Sequence, residues 1–291
     1  MDLVALQIFS TVVEQGGINK AAAKLHRVPS NVTTRVKQLE ERLGARLFVR
    51  EKRRLVLTPE GRLLLTYAEQ LLRLSAEAES ALRRGKPQGL LRIGALESTA
   101  AVRLPPLLSH YHRAFPDVRI ELVTGTSGSL VSRLREQDLE AAFVAEPFNA
   151  RDLETQAVFV EELVLITPKA FGPVRLPRDI GTLTVIGFAS DCSYRRRLEG
   201  WLRTGNAVPG RAIEFQSYHA IVACVAAGSG MAIVPRSVIE LSPGKREVVV
   251  NRLPVGIARA NTRLAWRPGY RSIALEAMKT LLAGSGRARL H

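Results

Sequence analysis

The sequence predicts an α/β protein in three parts: a winged helix-turn-helix over residues 1–58, a linker helix and hinge over 59–89, and a two-lobed α/β domain over 90–291. Three observations lead there. Helical periodicity fills the N-terminal segment and gives way to two short β-type runs with a basic tip. One uninterrupted helical pattern follows Thr58-Pro59. Beyond Gly89, strand-like and helical segments alternate in two series. A chain of 291 residues can bury a sizeable core in two or three domains. With 46 % hydrophobic and 24 % charged residues it has a globular composition rather than a disordered one.

The N-terminal elements follow from spacing. Residues 3–13 repeat apolar positions at helical intervals until Gly16-Gly17 stops them. Asn19 is the expected cap of a second, short helix whose Ala21, Ala22 and Ala23 allow a neighbour to approach closely. Pro29-Ser30 opens a third helix with Val32, Val36, Leu39 and Leu43 on one face, and Gly44 closes it. Its opposite face carries Ser30, Asn31, Thr34, Lys37, Gln38 and Glu41, flanked by Arg35, so it offers hydrogen-bonding groups as well as charge. The runs Leu47–Arg50 and Leu55–Leu57 enclose Glu51-Lys52-Arg53-Arg54, a hairpin with a basic tip.

Charge is concentrated in the same place. The whole chain nets +15, and residues 20–54 hold eleven Lys or Arg against three Glu. A positive balance focused on one small domain suits a polyanion such as double-stranded DNA, through release of the counterions around its phosphates. The alternative is a solvated basic face.

Thr58-Pro59 reads as a helix cap and first turn. In the helix that follows, Leu64, Ala68, Leu71, Ser75, Ala78 and Leu82 step by four and three, the spacing of a heptad seam. Either a second copy of the chain pairs with that seam, with Leu64, Ala68, Leu71, Ala78 and Leu82 as dimer contacts, or the helix packs on its own domain. Gly85–Gly89 then reads as a hinge.

From Leu90 the pattern is that of mostly parallel strands connected by helices. Strands are expected at 90–95, 118–124 and 139–145, then at 184–188, 212–215 and 231–235, with a late strand at 264–266 and a helix at 272–282. Two similar lobes follow, lobe I from 90–165 and 264–291 and lobe II from 166–263. Ligands of open α/β sheets bind at the carboxyl ends of strands. That directs attention to the turns holding Glu97, Ser98 and Thr99; Thr126 and Ser127; Glu146; Ser190, Asp191 and Cys192; and Ser217.

The runs GGINKAAAKLH, TTRVKQLEERLGARLFVR and LTPEG in the first 61 residues, and RLPPLLSHYHRAFPDVRIEL and VAAGSGMAIVP further on, resemble the LysR-type transcriptional regulators in order and spacing. The resemblance covers nearly the whole chain. It implies a sequence-specific DNA-binding regulator with a periplasmic-binding-protein-like domain that holds a small-molecule effector between its lobes, assembled as a homodimer or tetramer. It also implies that the turn at Glu97, Ser98 and Thr99 contacts the effector. For DNA it points to Ser30, Asn31, Thr33, Thr34, Arg35, Lys37 and Gln38 on the third helix, with Arg50, Lys52, Arg53 and Arg54 on the wing. The chain departs from the family where members often read Ser-Gln-Pro-Ala-Leu-Ser-Arg: here the residues are Val28-Pro29-Ser30-Asn31-Val32-Thr33-Thr34. Base preference therefore does not carry over from relatives, although Asn31, Thr34 and Gln38 retain groups able to pair with base edges.

Competing chemistry has little support. Gly125–Ser129 does not match a nucleophile elbow, and Gly228-Ser229-Gly230 lacks the third glycine of a dinucleotide fingerprint. His110 and His112 lie two apart on a helix and point to different sides, unlike metal ligands four apart. No catalytic residue, metal or cofactor is expected. A solute-binding protein would share the two lobes but needs an export signal, and the first fifteen residues hold Asp2 and Glu14 without a Lys or Arg. No stretch reaches the roughly 20 apolar residues of a membrane span, so a cytoplasmic location is expected. Cys192 and Cys224 are too few for a disulfide framework. Cys192 reads either as a thiol activated by Arg195–Arg197 or as a small lining residue, and Cys224 as core. Glu97 either pairs internally, with Arg103 as the candidate, or meets an amine on the ligand.

Overall fold

The computed structural model describes all residues except 52, 53, 83, 84, 182, 208, 209 and 288–291, with the backbone alone at 77, 80–82 and 285–287. It forms two compact units, Met1–Arg84 and Gly85–His291.

In the first unit, α1 (Leu3–Gln15) starts where the Asp2 carboxylate accepts from the Ala5 N–H at 2.7 Å, and ends at Gly16 in a left-handed conformation. The second helix, α2 (Ile18–Lys24), is capped by Gly17. Asn19 lies inside it and is not the cap, because the chain turns earlier than the sequence suggests. Next come α3 (Pro29–Leu43), the hairpin β1 (Phe48–Glu51) and β2 (Arg54–Leu57), and α4 (Pro59–Leu82). Buried Ala21 and Ala22 let α2 pack against Ile8, Val12, Val32 and Val36. Leu6, Phe9, Leu39 and Leu47 form the adjoining core. Leu43 is exposed, so only three of the four expected residues bury α3.

Two polar side chains hold the hairpin to the helices. Glu40 accepts from the backbone N–H groups of Leu47 at 2.7 Å and Phe48 at 3.2 Å. Thr58 donates to the Arg46 carbonyl at 2.7 Å and accepts from the Gly61 N–H at 2.9 Å, which caps α4 where Thr58-Pro59 predicts it. The approach leaves no room at Gly61, where a Cβ would stand 2.2 Å from the Leu47 carbonyl oxygen.

The second unit begins with β3 (Gly89–Ala95), α5 (Glu97–Val102), α6 (Leu104–Ala114), β4 (Val118–Thr124), α7 (Ser127–Arg135) and β5 (Ala141–Ala145). The long strand β6 (Glu154–Pro168) leads to β7 (Val185–Gly187), α8 (Ser193–Thr204), β8 (Ala212–Glu214), α9 (Tyr218–Ala226), β9 (Ala232–Pro235) and α10 (Arg236–Leu241). The chain returns through β10 (Val248–Arg252), α11 (Val255–Ala258) and β11 (Arg259–Trp266) to α12 (Ile273–Arg287). The main sheet runs β10-β6-β11-β5-β3-β4, with β9 also on β6, and β7 and β8 pair separately.

Pairing is more mixed than the expected mostly parallel pattern. Among the described strands, only β3–β4, β3–β5 and β7–β8 are parallel pairs; β9, β10 and β11 all pair antiparallel to β6. The difference comes from β6 and β10, which the sequence pattern does not predict. Residues 154–162 of β6 pair with β11, and residues 163–168 pair with β9 and β10. One strand thus belongs to both lobes. Among the described residues, no helix is long and apolar enough to cross a membrane.

Gly61→Ala is expected to destabilise the first unit by about 1 to 3 kcal/mol, the usual range for forcing extra volume into a packed site. Chemical denaturation followed by circular dichroism measures it, and an unchanged midpoint would mean that α4 and the hairpin separate without strain.

Candidate functional site

On α3, Val32, Val36 and Leu39 turn inward, and the opposite face stays open. Ser30, Asn31, Thr34, Arg35, Lys37 and Gln38 are all exposed there. Thr33 is half-buried, and its hydroxyl donates to the Pro29 carbonyl at 2.9 Å, so it serves the helix itself. Arg50 and Arg54 are exposed on the hairpin, while Lys52 and Arg53 lie outside the described residues. Arg35, Lys37, Arg50 and Arg54 make no ion pair among the described residues, which leaves their charge for an external anion.

The predicted seam on α4 divides. Ala68 is fully buried against Phe9, Leu39 and Leu47, and Leu64 packs on the same cluster. Ala68 thus belongs to the core of its own domain and not to a dimer contact, with half-buried Leu64 at the edge of that core, because the first turns of α4 must cover α1. The apolar ridge that stays exposed is Leu63 (61 %), Tyr67 (55 %), Leu71 (39 %) and Leu74 (53 %), spaced by four, four and three. Of the predicted seam, Leu71 belongs to this ridge, Ala78 is exposed, and the Leu82 side chain lies outside the described residues.

In the second unit, the N-termini of α7 and α8 meet between the lobes. The Ser127 hydroxyl donates to the Ala145 carbonyl at 3.0 Å, accepts from its N–H at 3.1 Å, and lies 3.3 Å from the Ser193 hydroxyl. Thr126 caps α7 and donates to the Asp191 carboxylate, which also accepts from the Ser129 N–H at 3.1 Å. Beside this joint, the Glu97 carboxylate accepts from the backbone N–H of Tyr218, at the start of α9. Burial raises its pKa above the ordinary carboxylate range, against the smaller opposing effect of that hydrogen bond.

Next to Glu97 lies a group of buried hydroxyls. Ser98 Oγ, Thr99 Oγ1, Tyr194 OH and Thr262 Oγ1 are buried without a hydrogen-bond partner of proper geometry. Burial pushes the Tyr194 phenol well above its ordinary value, with the Glu161 carboxylate adding to the rise and the neighbouring Ser98 and Thr262 hydroxyls tempering it. Tyr218 is raised in the same way, first by burial. Glu161 is engaged by Arg103 (Nε to Oε1 2.6 Å, Nη2 to Oε2 3.2 Å) and by the Ser237 hydroxyl at 3.0 Å. A void of about 10 Å³ is bounded by Cys192, Tyr194, Tyr218 and Phe188, room for about one water.

The structure therefore brings together Glu97, Ser98, Thr99, Thr126, Ser127, Asp191 and Cys192, with Ser217 beside them at the N-cap position of α9, its side chain making no cap bond. Ser190 is exposed and makes no side-chain hydrogen bond among the described residues. Glu146 turns elsewhere, to Asn261 at 2.9 Å and Arg263 at 3.2 Å. Arg103 is not the partner of Glu97, since both its strong bonds go to Glu161. The activated-thiol reading of Cys192 also fails: burial raises its pKa and outweighs the N–H groups of Tyr194 and Arg195. Sequence reasoning missed Tyr194, Tyr218 and Thr262. The two tyrosines directly follow Ser193 and Ser217, so the first turns of α8 and α9 held the signal; Thr262 lies in a part of β11 with no strand pattern of its own.

Two family descriptions match the chain. "Bacterial regulatory helix-turn-helix protein, lysR family" matches residues 3–62, and "LysR substrate binding domain" matches residues 84–286. The HTH-type transcriptional regulator GltR of Bacillus subtilis is 39 % identical over 240 residues, covering 82 % of this chain and 81 % of the relative. YofA of Bacillus velezensis, also an HTH-type transcriptional regulator, is 40 % identical over 251 residues, 86 % of each. Among solved structures, the fold is similar to full-length CbnR in complex with its target DNA (TM-score 0.68, 22 % identity, 98 % of this chain and 100 % of that one). It is also similar to a full-length OxyR variant from Pseudomonas aeruginosa (TM-score 0.66, 23 % identity, 97 % and 94 %).

Proposed function

The chain belongs to the LysR family of bacterial transcriptional regulators, DNA-binding proteins with an effector-binding domain, and on that premise we propose which of its residues perform each task. The open polar face of α3, with its unpaired cations, carries the reading. Asn31, Thr34 and Gln38 read base edges in the major groove, and Ser30, Arg35 and Lys37 hold the phosphates on either side. Arg50, Arg54 and the hairpin tip residues Lys52 and Arg53 reach phosphates or the minor groove. Neutral amides discriminate bases, and the guanidinium groups supply affinity that falls with salt.

The effector lies between the lobes, against Glu97, Ser98, Thr99, Thr126, Ser127, Asp191, Cys192 and Ser217. Four buried hydroxyls support this placement: none has a hydrogen-bond partner of proper geometry, Ser98 and Thr262 meeting Tyr194 only poorly, and under-satisfied buried polar groups are costly. The bonds of Thr126 to Asp191 and of Ser127 to Ser193 close the lobes over these residues, so the lobes part to admit a metabolite. Glu97 is half-buried and has no cation partner among the described residues. A ligand amine would relieve it, so the effector is amine-bearing: a zwitterionic amino acid or a polyamine. The cleft binds and does not catalyse, and the protein acts in the cytoplasm, where the DNA is.

The assembly is a homodimer or tetramer formed through α4, with the exposed ridge of Leu63, Tyr67, Leu71 and Leu74 against its equivalent in a second copy. Pairing would remove four apolar side chains from water.

Three outcomes test these assignments. Asn31→Ala and Gln38→Ala should relax sequence preference by about 1 to 3 kcal/mol per lost base contact, while Arg50→Ala and Arg54→Ala weaken binding to every duplex and flatten its salt dependence. Fluorescence anisotropy against specific and random duplexes separates the two effects, and wild-type binding by both sets would remove the assignment. Leu71→Glu places like charges face to face in a desolvated contact, and sedimentation should show a smaller particle; an unchanged mass would exclude the ridge as the interface. In calorimetric titration, amino acids and polyamines should bind the wild type and lose affinity in Glu97→Gln. A dicarboxylate that bound both proteins equally, with no response to amines, would overturn the effector class.

A further inference from the structure

The crossing strands have a second face. On β11, Thr262 lies beside Tyr194 in the hydroxyl cluster, whereas its neighbours Asn261 and Arg263 both reach Glu146. Alternating side chains of a strand point to opposite faces, so Glu146 and Arg263 lie across the sheet from the cluster. There they line a pocket of about 580 Å³ with Phe148, Thr155 and Arg197. That volume is within the roughly 300 to 1,000 Å³ typical of small-molecule sites. None of the residues proposed to hold the effector lines it.

Its charges do not cancel. Both oxygens of Glu146 are taken, Oε1 by Arg263 Nη1 at 3.2 Å and Oε2 by Asn261 Nδ2 at 2.9 Å, and Arg263 Nε donates to Thr155 Oγ1 at 3.0 Å. Arg197 has no carboxylate among the described residues. Its Nε and Nη2 each donate to the Glu146 carbonyl at 3.0 Å, and Nη1 to the Gly256 carbonyl at 3.4 Å. A guanidinium has five N–H donors, so two remain. Two guanidinium groups against one carboxylate leave one positive charge beside an apolar wall of Pro147, Phe148 and Ala150. A planar cation with spare donors suits a carboxylate.

We propose that this pocket is a second ligand site, separate from the cleft at Glu97, and that it takes a small monocarboxylate with an apolar body: the carboxylate on Arg197, the body on Phe148. Arg197 rides on α8 of the second lobe, and Glu146, Phe148 and Thr155 belong to the first. An occupant therefore bridges the lobes on the face opposite the effector.

Phenylacetate is a suitable probe, with phenylacetamide as its uncharged counterpart, titrated calorimetrically into the full chain. Phenylacetate should bind, and phenylacetamide at least tenfold more weakly. Arg197→Met should weaken phenylacetate binding at least tenfold and Phe148→Ala several-fold, whereas Arg197→Lys, which keeps the charge without the planar fork and guards against a folding defect, should fall between the wild type and Arg197→Met. Ser98→Ala should leave it unchanged. Equal binding of acid and amide, wild-type affinity in Arg197→Met, loss of binding in Ser98→Ala, or no binding of phenylacetate would each overturn the proposal. These ligands and residues differ from those that test the amine-bearing effector, so the two readings fail separately.

Discussion

The double membership of β6 sets the architecture of the second unit. Eight of its first nine residues pair with β11, Val158 being passed over at a bulge, and its last six pair with β9 and β10, so one continuous strand is hydrogen-bonded into both lobes. A strand cannot bend sharply without surrendering ladder bonds, so the lobes are held side by side by the strand's own stiffness. Because side chains alternate along a strand, the same constraint creates two faces at the junction. Glu161 and Thr262 point to the hydroxyl cluster, while Asn261 and Arg263 point to the arginine-lined pocket.

The first face illustrates how buried polar groups are managed unevenly. Glu161 is buried, and Arg103 and Ser237 satisfy it with three hydrogen bonds. Breaking such a pair by removing one partner is strongly destabilising, which makes it a fixed wall. The four hydroxyls next to it lack that compensation. Charge is therefore fully paired where the site is rigid, and neutral hydroxyls are left open where an occupant can bond them. Thr126, Ser127 and Asp191 complete the arrangement from the other side: their bonds span the lobes, and parting the lobes must exchange those bonds for water or ligand.

Much of this was legible in the sequence, for identifiable reasons. Elements with strong local signals came through: α3 between Pro29 and Gly44, the cap at Thr58, and β4 at residues 118–124. Capping and periodicity are local, so the sequence states them directly. What failed was non-local. β6 carries Glu161 and Glu162 in its middle, which breaks any simple alternation, because one of them is buried only by virtue of Arg103, far away in the chain. Leu64 and Ala68 fit a heptad seam by spacing; which face of α4 covers α1 depends on where the hairpin ends. Likewise, Glu146 sits one residue past β5 as expected, and only the neighbouring strand decides that its carboxylate turns to Arg263 rather than to the cleft.

The basic balance of the chain also resolves differently in its two units. In the first, Arg35 and Lys37 on the exposed face of α3 and Arg50 and Arg54 on the hairpin have no ion-pair partner among the described residues, so their field is available to a polyanion at long range. In the second, most of the arginines that the structure describes in contacts are engaged: Arg92 with Glu121, Arg135 with Asp152, Arg195 with Glu199 and Glu214, Arg236 with Glu162. An engaged arginine cross-links the fold and contributes little to the distant field. Each such pair adds nothing to the net charge, so the positive excess of the second unit rests on the cations that no carboxylate meets. Arg197 and its neighbour Arg196, both bonded to carbonyl oxygens alone among the described residues, are two of them, and Arg197 is the one that lines the pocket.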